Sequence, residues 1–385
     1  MTASPSLDSS LPEAAVEPAV TSAEERVFVA TQWQLMWWRF RKHKMAMVGT
    51  IVLIGLYLIA LFCEFLAPYD PNESRKLLSV VQAQGIHFFD QGKFTWPPFV
   101  YGYERKRDPV TLRLTYTPDP NKKYPVRLFV HGLPYKLLGL IPTDVHLFGV
   151  EGEGATIFLF GTDTLGRDVF SRVMYGTRIS MSVGLVSIAL SFMLGITLGG
   201  AAGYFGGNLD ILIGRIIEFL RSIPSIPLWM GLSAALPATW PPLRVYFGIT
   251  IILSLIGWTG LAQVVRGRFL SLREEDFVMA ARISGASEWR IIFRHLVPSF
   301  LSYISASLTL SIPGVILSET SLSFLGLGLR PPVISWGVLL QDAQNLHAVA
   351  LAPWLLIPGI FVVVAVFAYN FMGDGLRDAA DPYSR

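Results

Sequence analysis

Charge is scarce in this sequence and cysteine scarcer. Only 15% of the 385 residues are Asp, Glu, Lys or Arg, while 52% are hydrophobic. A water-soluble domain carries about a quarter charged residues, so the composition is that of a membrane protein. The single cysteine, Cys63, falls inside the first apolar run, which excludes an internal disulfide and a cysteine-built metal cluster. No G-x-x-x-x-G-K-[ST] occurs, so the chain has no nucleotide-binding P-loop of its own. H-E-x-x-H and G-x-S-x-G are missing too, and with them the metalloprotease and serine-hydrolase chemistries. The small positive net charge is not that of a nucleic-acid binder, because the basic residues cluster at the ends of apolar runs.

What is present is a series of long apolar spans. Residues 1–31, rich in Ala, Ser, Pro and Glu, predict a disordered tail and no cleavable leader. Trp33, Trp37 and Trp38 then precede Arg39, Arg41, Lys42 and Lys44, which makes 32–44 an interfacial basic anchor. Apolar spans follow at 45–63, 179–204, 211–236, 245–265, 295–318 and 350–372. At about 1.5 Å of rise per residue, a run of some 20 residues reaches the roughly 30 Å thickness of a bilayer's hydrocarbon core. The span at 179–204 is dense in glycine, which favours close helix contact. The one at 211–236 carries Arg215, Glu218 and Arg221 on one face and is bent by Pro224 and Pro227.

The loop between spans four and five holds Arg266, Arg268, Arg273, Arg282, Arg290 and Arg294, whereas the opposite loops hold only Arg244 and Arg330. This asymmetry predicts six spans with both termini cytoplasmic. Residues 68–177 then form an external lobe, low in helix, with short strands at 111–116 and 126–130. Its histidines, His87, His131 and His146, match no metal-ligand spacing.

Spans two, four, five and six lack interior carboxylates, which an ion-driven carrier usually needs near the midplane. The chain has the pattern of a pathway without an engine, although a self-contained ion-driven transporter stays open as the alternative. The arginine-rich stretch 266–298 shows where an engine attaches. Residues 276–283 form a short helix ended by Gly285 in the left-handed conformation. Ser287 then caps a second helix over 288–295, with Arg294 and His295 at its negative end. Helices of about eight residues do not persist alone in water. Phe277, Met279, Trp289, Ile292 and Phe293 give the pair an apolar face, covered either by a partner or by this chain's own helix ends.

Ala280-Ala281-x3-Gly285, followed by Pro298, resembles the EAA loop of ABC importer permeases, with Met279 standing where that family has glutamate. Three further stretches resemble the peptide/nickel branch of those permeases. They are Gly161-Thr162-Asp163-Thr164-Leu165-Gly166-Arg167-Asp168, Ser321-Leu322-Ser323-Phe324-Leu325-Gly326-Leu327-Gly328, and Gly373-Asp374-Gly375-Leu376-Arg377-Asp378-x-x-Asp381-Pro382. The resemblance covers the anchor, the first span and 160–385; it does not explain the lobe at about 72–155.

The resemblance implies an all-α polytopic membrane protein, a six-helix type I importer domain with an inserted external lobe of mixed or β-rich structure. It implies the second permease of a dipeptide/oligopeptide/nickel importer, a transport subunit and not an enzyme. The partners would be a second homologous permease, two ABC ATPase subunits and an extracytoplasmic binding protein. The chain itself needs no cofactor, since ATP and Mg2+ sit on the ATPases. Short peptides are the default substrate, with oligosaccharides or nickel as alternatives.

Met279, Ala280, Ala281, Gly285, Trp289, Arg290, His295 and Pro298 would form the ATPase-coupling loop. Glu319, Ser321, Phe324 and Gly326 lie where an external gate would be, or form a plain connection; apolar residues alternating with Ser and Gly fit a re-entrant segment. Gly161, Asp163, Gly166, Arg167 and Asp168 form a turn that either braces the lobe through ion pairs or meets the binding protein. The tail motif is expected near the docking loop, ahead of a cytosolic tail at 376–385.

Overall fold

The computed structural model describes residues 31–380 apart from 91, 108, 110–113, 153 and 238. The tail expected at 1–30, residues 111–113 of one expected strand, and Asp381 and Pro382 lie outside the described residues.

Helix α1 (Gln32–Lys42) opens with a capping box in which Thr31 and Gln34 each satisfy the other's backbone N–H. At His43, whose Nδ1 accepts the Ala46 N–H at 3.1 Å, the chain enters α2 (Lys44–Leu61), followed by the short α3 (Cys63–Leu66). The inserted lobe is an antiparallel meander: β1 (His87–Asp90), β2 (Lys93–Arg107), β3 (Leu114–Leu137) and β4 (Ile141–Val150), hydrogen-bonded in that order. β3 contains the strand expected at 126–130.

The helical remainder is α4 (Val169–Phe205), α5 (Gly207–Ser222), α6 (Ser225–Ala234), α7 (Pro242–Leu272), α8 (Asp276–Ile283), α9 (Glu288–Ile291), α10 (Leu301–Phe324), α11 (Trp336–Gln341), α12 (Leu346–Leu351) and α13 (Ile357–Ala380). Among the described residues, four helices are long and apolar enough to cross a membrane: Lys44–Leu61, Val169–Phe205, Pro242–Leu272 and Pro353–Ala380. A fifth span forms if Glu288–Ser299 and Tyr303–Phe324, bent by 78°, are taken together.

The helices overrun the apolar spans in instructive ways. α4 begins ten residues ahead of the expected 179 and takes in Arg172 and Arg178. Both are paired: Arg178 donates to the Glu64 carboxylate at 2.5 and 2.6 Å, and Arg172 Nη1 donates to the Pro71 carbonyl at 3.0 Å. A charged side chain with such partners does not end a helix, although it ends an apolar run. The span expected at 211–236 is two helices, broken at Ile223 and Pro224, and neither has the length and apolarity of a membrane-crossing helix. α7 continues to Leu272, so the first part of the 266–298 stretch is helix and not loop. α13 continues to Ala380, so residues 376–380 are helix and not a loose tail.

The tail motif packs on the anchor, not near the docking loop. Gly375 meets Ala46 and Phe40 so closely that a Cβ there would lie 2.2 Å from the Ala46 methyl. Phe40, Ala46 and Ala379 are buried together.

α4 and α7 meet backbone to backbone. A Cβ on Gly199 would lie 2.5 Å from the Ala262 carbonyl oxygen, and one on Gly203 2.6 Å from that of Arg266. Close approach of this kind is how membrane helices gain dispersion energy, since lipid offers no hydrophobic drive between them. We expect Gly199→Leu to force the pair apart and cost about 1–3 kcal/mol or more, read as a lowered midpoint of thermal unfolding in detergent. An unchanged midpoint would show that the contact carries no weight.

Candidate functional site

The 266–298 stretch is an amphipathic plug. Its inner side enters a buried cluster: Val278, Ile291, Ile292, Leu296 and Val297 pack against Ile196, Tyr204, Leu261, Val265 and Phe269 of α4 and α7. Its outer side leaves Phe277, Met279, Ile283, Trp289 and Phe293 exposed, with Ile283 at 85%. The chain's own helix ends therefore cover one face, and the opposite face is left exposed among the described residues. Ile292, expected on the uncovered face, is fully buried.

Gly285 has φ +73°, and the N–H of Ala286 reaches back to the Ala281 carbonyl at 3.1 Å, which closes α8 in the left-handed manner. Ser287 makes no side-chain cap, and the second helix is not regular over 288–295: α9 gives way to a π-helical turn, Ile292–Leu296. Ile292 and Leu296, four residues apart, share the buried face of this turn, and Phe293 lies outside. Met279, Ala280, Gly285, Trp289, Arg290 and Pro298 are exposed, and Ala281 and His295 half-buried. Arg282 donates to the Tyr204 hydroxyl at 3.1 Å and Trp289 lies edge-on to Phe205, so the plug is fastened to the far end of α4.

The stretch 161–168 sits at the other end of α4. Asp163 is buried, and its Oδ1 accepts the N–H groups of Leu165 and Arg167, both at 2.9 Å, while Oδ2 accepts Arg167 Nε at 2.6 Å. Arg167 also faces Asp342 at 3.7 Å. Arg167 is paired with Asp163 and Asp342, and not with Asp168, among the described residues. Asp168 instead caps α4, its Oδ2 accepting the N–H and the hydroxyl of Ser171 at 2.8 and 2.6 Å.

Thr162 accepts the Val81 N–H at 2.8 Å and donates to the Leu78 carbonyl at 2.6 Å. Gly166, with φ +76°, comes so close to the Arg75 carbonyl that a Cβ would lie 2.1 Å from its oxygen. The turn thus staples the segment 71–81, the start of α4 and residue 342 into one junction. Asp342 and the 71–81 segment carried no sequence signal; the contacts are long-range and made largely by backbone.

In the stretch 319–328, α10 runs through Phe324, so Glu319 lies inside the helix and is fully buried, whereas the apolar run ends at Ser318. Ser321 is exposed and Gly326 has φ +75°. Residues 325–335 then turn back, and α11 begins with Ser335 capping Val338 at 3.2 Å. Among the described residues no group of histidine, cysteine, aspartate or glutamate side chains could hold a metal ion.

These features describe a polytopic membrane protein whose 276–298 stretch leaves an apolar face uncovered among the described residues. Residues 195–385 match the model of the binding-protein-dependent transport system inner membrane component, and residues 31–82 that of the N-terminal TM domain of oligopeptide transport permease C. The oligopeptide transport system permease protein OppC of Haemophilus influenzae is 41% identical over 244 residues, 63% of this chain and 76% of that protein. The dipeptide transport system permease protein DppC of Bacillus subtilis is 40% identical over 228 residues, 59% and 69%. The Bacillus subtilis OppC aligns over 97% of this chain and 99% of its own length at 29% identity.

The chain belongs to the OppC/DppC-like permeases of peptide ABC transporters. It is the permease component of a binding-protein-dependent peptide import system, an inner-membrane, multi-pass transport subunit without catalysis of its own, and such a system implies ATPase and binding-protein partners.

Asp168 supplies a test of the 161–168 junction. Its Oδ1 has no hydrogen-bond partner, and burial pushes the carboxyl up to about 6, with the Ser171 bonds pulling the other way. A carboxyl raised in the folded state binds its proton more tightly than in the unfolded chain. Stability is therefore greatest below the unfolded value and falls as pH rises through about 6, by at most about 3 kcal/mol. We expect Asp168→Asn to flatten the pH dependence of the unfolding midpoint between about pH 4 and 6.5. The same slope in both proteins would refute this account.

Proposed function

We propose that this chain is one of two homologous permeases forming the membrane core of a type I ABC importer, each with six core helices and both termini cytoplasmic. Two ATPase subunits, carrying ATP and Mg2+, dock on the plug at 276–298. An extracytoplasmic binding protein delivers short peptides at the sheet end, and the region 319–328 forms the outer gate.

The observation that carries this reading is the two-sided plug. Its inner face is locked into α4 and α7, and its outer face leaves Phe277, Met279, Ile283, Trp289 and Phe293 exposed. A force applied to the outer face reaches the helices directly. α4, at 37 residues about 55 Å long, has the sheet lobe at its first turn, where Phe148 meets Phe170, and the plug at its last. The two docking regions are thus at opposite ends of one rigid element. The arginines of 266–294 mark the plug end as cytosolic.

α10 supports the pairing with a second permease. Ser311, Gly314 and Ser321 lie on one exposed face of it. Hydroxyls and glycine offer lipid little, but they suit a helix partner or a hydrated path. Met279 leaves position 279 uncharged where the resemblance puts a glutamate, and it lies exposed on the same outer side as Phe277 and Ile283.

Gly285→Pro cannot adopt φ +73° and removes the amide that donates to the Arg282 carbonyl. Ala281→Arg places a long cation beside the buried cluster. Each variant is expected to insert in the membrane normally but to lose the co-purifying ATPase and peptide uptake. Retained co-purification with normal uptake would sink the assignment of this plug.

A further inference from the structure

Glu319 is fully buried in α10, and its hydrogen-bond partners are three serine hydroxyls and no cation. Oε1 accepts Ser323 of the same helix at 2.8 Å and Ser335 at 2.7 Å; Oε2 accepts Ser180 of α4 at 3.4 Å. Each of these serines has a second task. Ser323 Oγ accepts the Leu329 N–H at 3.0 Å, Ser180 Oγ the Trp336 N–H at 3.0 Å, and Ser335 Oγ the Val338 N–H at 3.2 Å.

A serine hydroxyl has one hydrogen to give, and its oxygen accepts where the backbone supplies a donor. With the three oxygens turned toward three amides of 329–338, the three hydrogens converge on one acceptor group. A carboxyl, with two oxygens and about four lone-pair sites, can take all three. The glycines at this place have a matching role. A Cβ on Gly328 would lie 2.5 Å from Ser323 Oγ, and one on Gly337 2.7 Å from the Thr320 carbonyl oxygen, so the returning chain touches α10 only because these positions are bare.

We propose that Glu319 is the positioning residue of the outer gate. Through Ser180, Ser323 and Ser335 it fixes the backbone of 325–341 at Leu329, Trp336 and Val338, and holds that hairpin across α4 and α10 in the closed arrangement. This rests on the reading of 319–328 as the gate. The hub spans three elements through one side chain; the hairpin leaves α4 by parting Ser180 from Glu319 and Trp336, and Thr177 from the Trp336 indole, while Ser323 and Ser335 stay bound to Glu319 and move with α10. The long 3.4 Å bond lies on the side that opens.

The test uses the intact transporter complex in lipid nanodiscs, with amide hydrogen exchange as the direct readout. Glu319→Ala should raise exchange at 325–341 about tenfold while leaving α7 and α13 unchanged, and ATP hydrolysis should no longer depend on the peptide-loaded binding protein. Glu319→Gln keeps Oε1 for Ser323 and Ser335 and offers an amide N–H to Ser180, so it should restore protection and coupling together. Ser335→Ala, a milder change, should loosen Val338 and its neighbours alone. Wild-type exchange in Glu319→Ala and Ser335→Ala would overturn the hub. Faster exchange with coupling and uptake intact would keep the hub and remove the gate reading on which its role rests.

Discussion

Backbone contact between α4 and α7 is the constraint on which the rest of the molecule depends. Three glycines of α4, at 195, 199 and 203, face Leu261, Ala262 and Arg266 at distances no Cβ would permit. In a bilayer, where apolar side chains gain nothing by leaving lipid for protein, such fit is the main source of helix association. The contact has a second effect. It places Phe269 and Val265 against the end of α4, which creates the floor on which Val278, Ile291 and Ile292 lie. The plug is therefore held by a surface that exists only because glycine lets two helices touch.

The sheet end is organised by different physics. There, polar groups are buried and each is answered by a named partner: Asp163 by two amides and Arg167, Thr162 by Val81 and Leu78, Arg178 by Glu64. Burying charge without such answers is costly, and a half-satisfied network is worse than an apolar one. The Oδ1 of Asp168 and the Nε of Arg172, neither of them hydrogen-bonded, are the exceptions, and burial raises the affinity of the Asp168 carboxyl for its proton. The inserted sheet adds His146, whose ring nitrogens face the carbonyls of Ala67 and Leu133 and so join the lobe to the end of the first span.

Much of this was legible in the sequence, and where it was not the reasons are physical. Apolar runs located the membrane helices, because desolvation dominates their placement. They misjudged where helices end, because Arg172, Arg178 and Glu319 are paired inside them and a hydropathy pattern cannot see a partner far along the chain. Gly285 announced its left-handed turn, since few residues tolerate that φ. The π-helical turn at 292–296 left no mark, and neither did the burial of Ile292. The motif at 161–168 was visible as a turn, but its principal contacts, Arg75, Val81 and Asp342, were not: nothing local distinguishes them. The tail glycines were visible as a motif, yet their purpose, letting α13 close on Leu310 at Gly373 and on Ala46 and Phe40 at Gly375, required the fold.

The bend between the plug and α10 has a mechanical meaning. The two arms, Glu288–Ser299 and Tyr303–Phe324, meet at 78°, nearly a right angle. A push along the first arm hardly projects onto the axis of the second, so α10 receives it as a sideways swing at its base and not as a slide along its length. A swinging helix separates from its neighbours progressively and keeps its register with them, while a sliding one would have to break every ridge-and-groove contact at once. The corner at Phe300 would thus pass a push along the first arm to α10 as a lateral displacement.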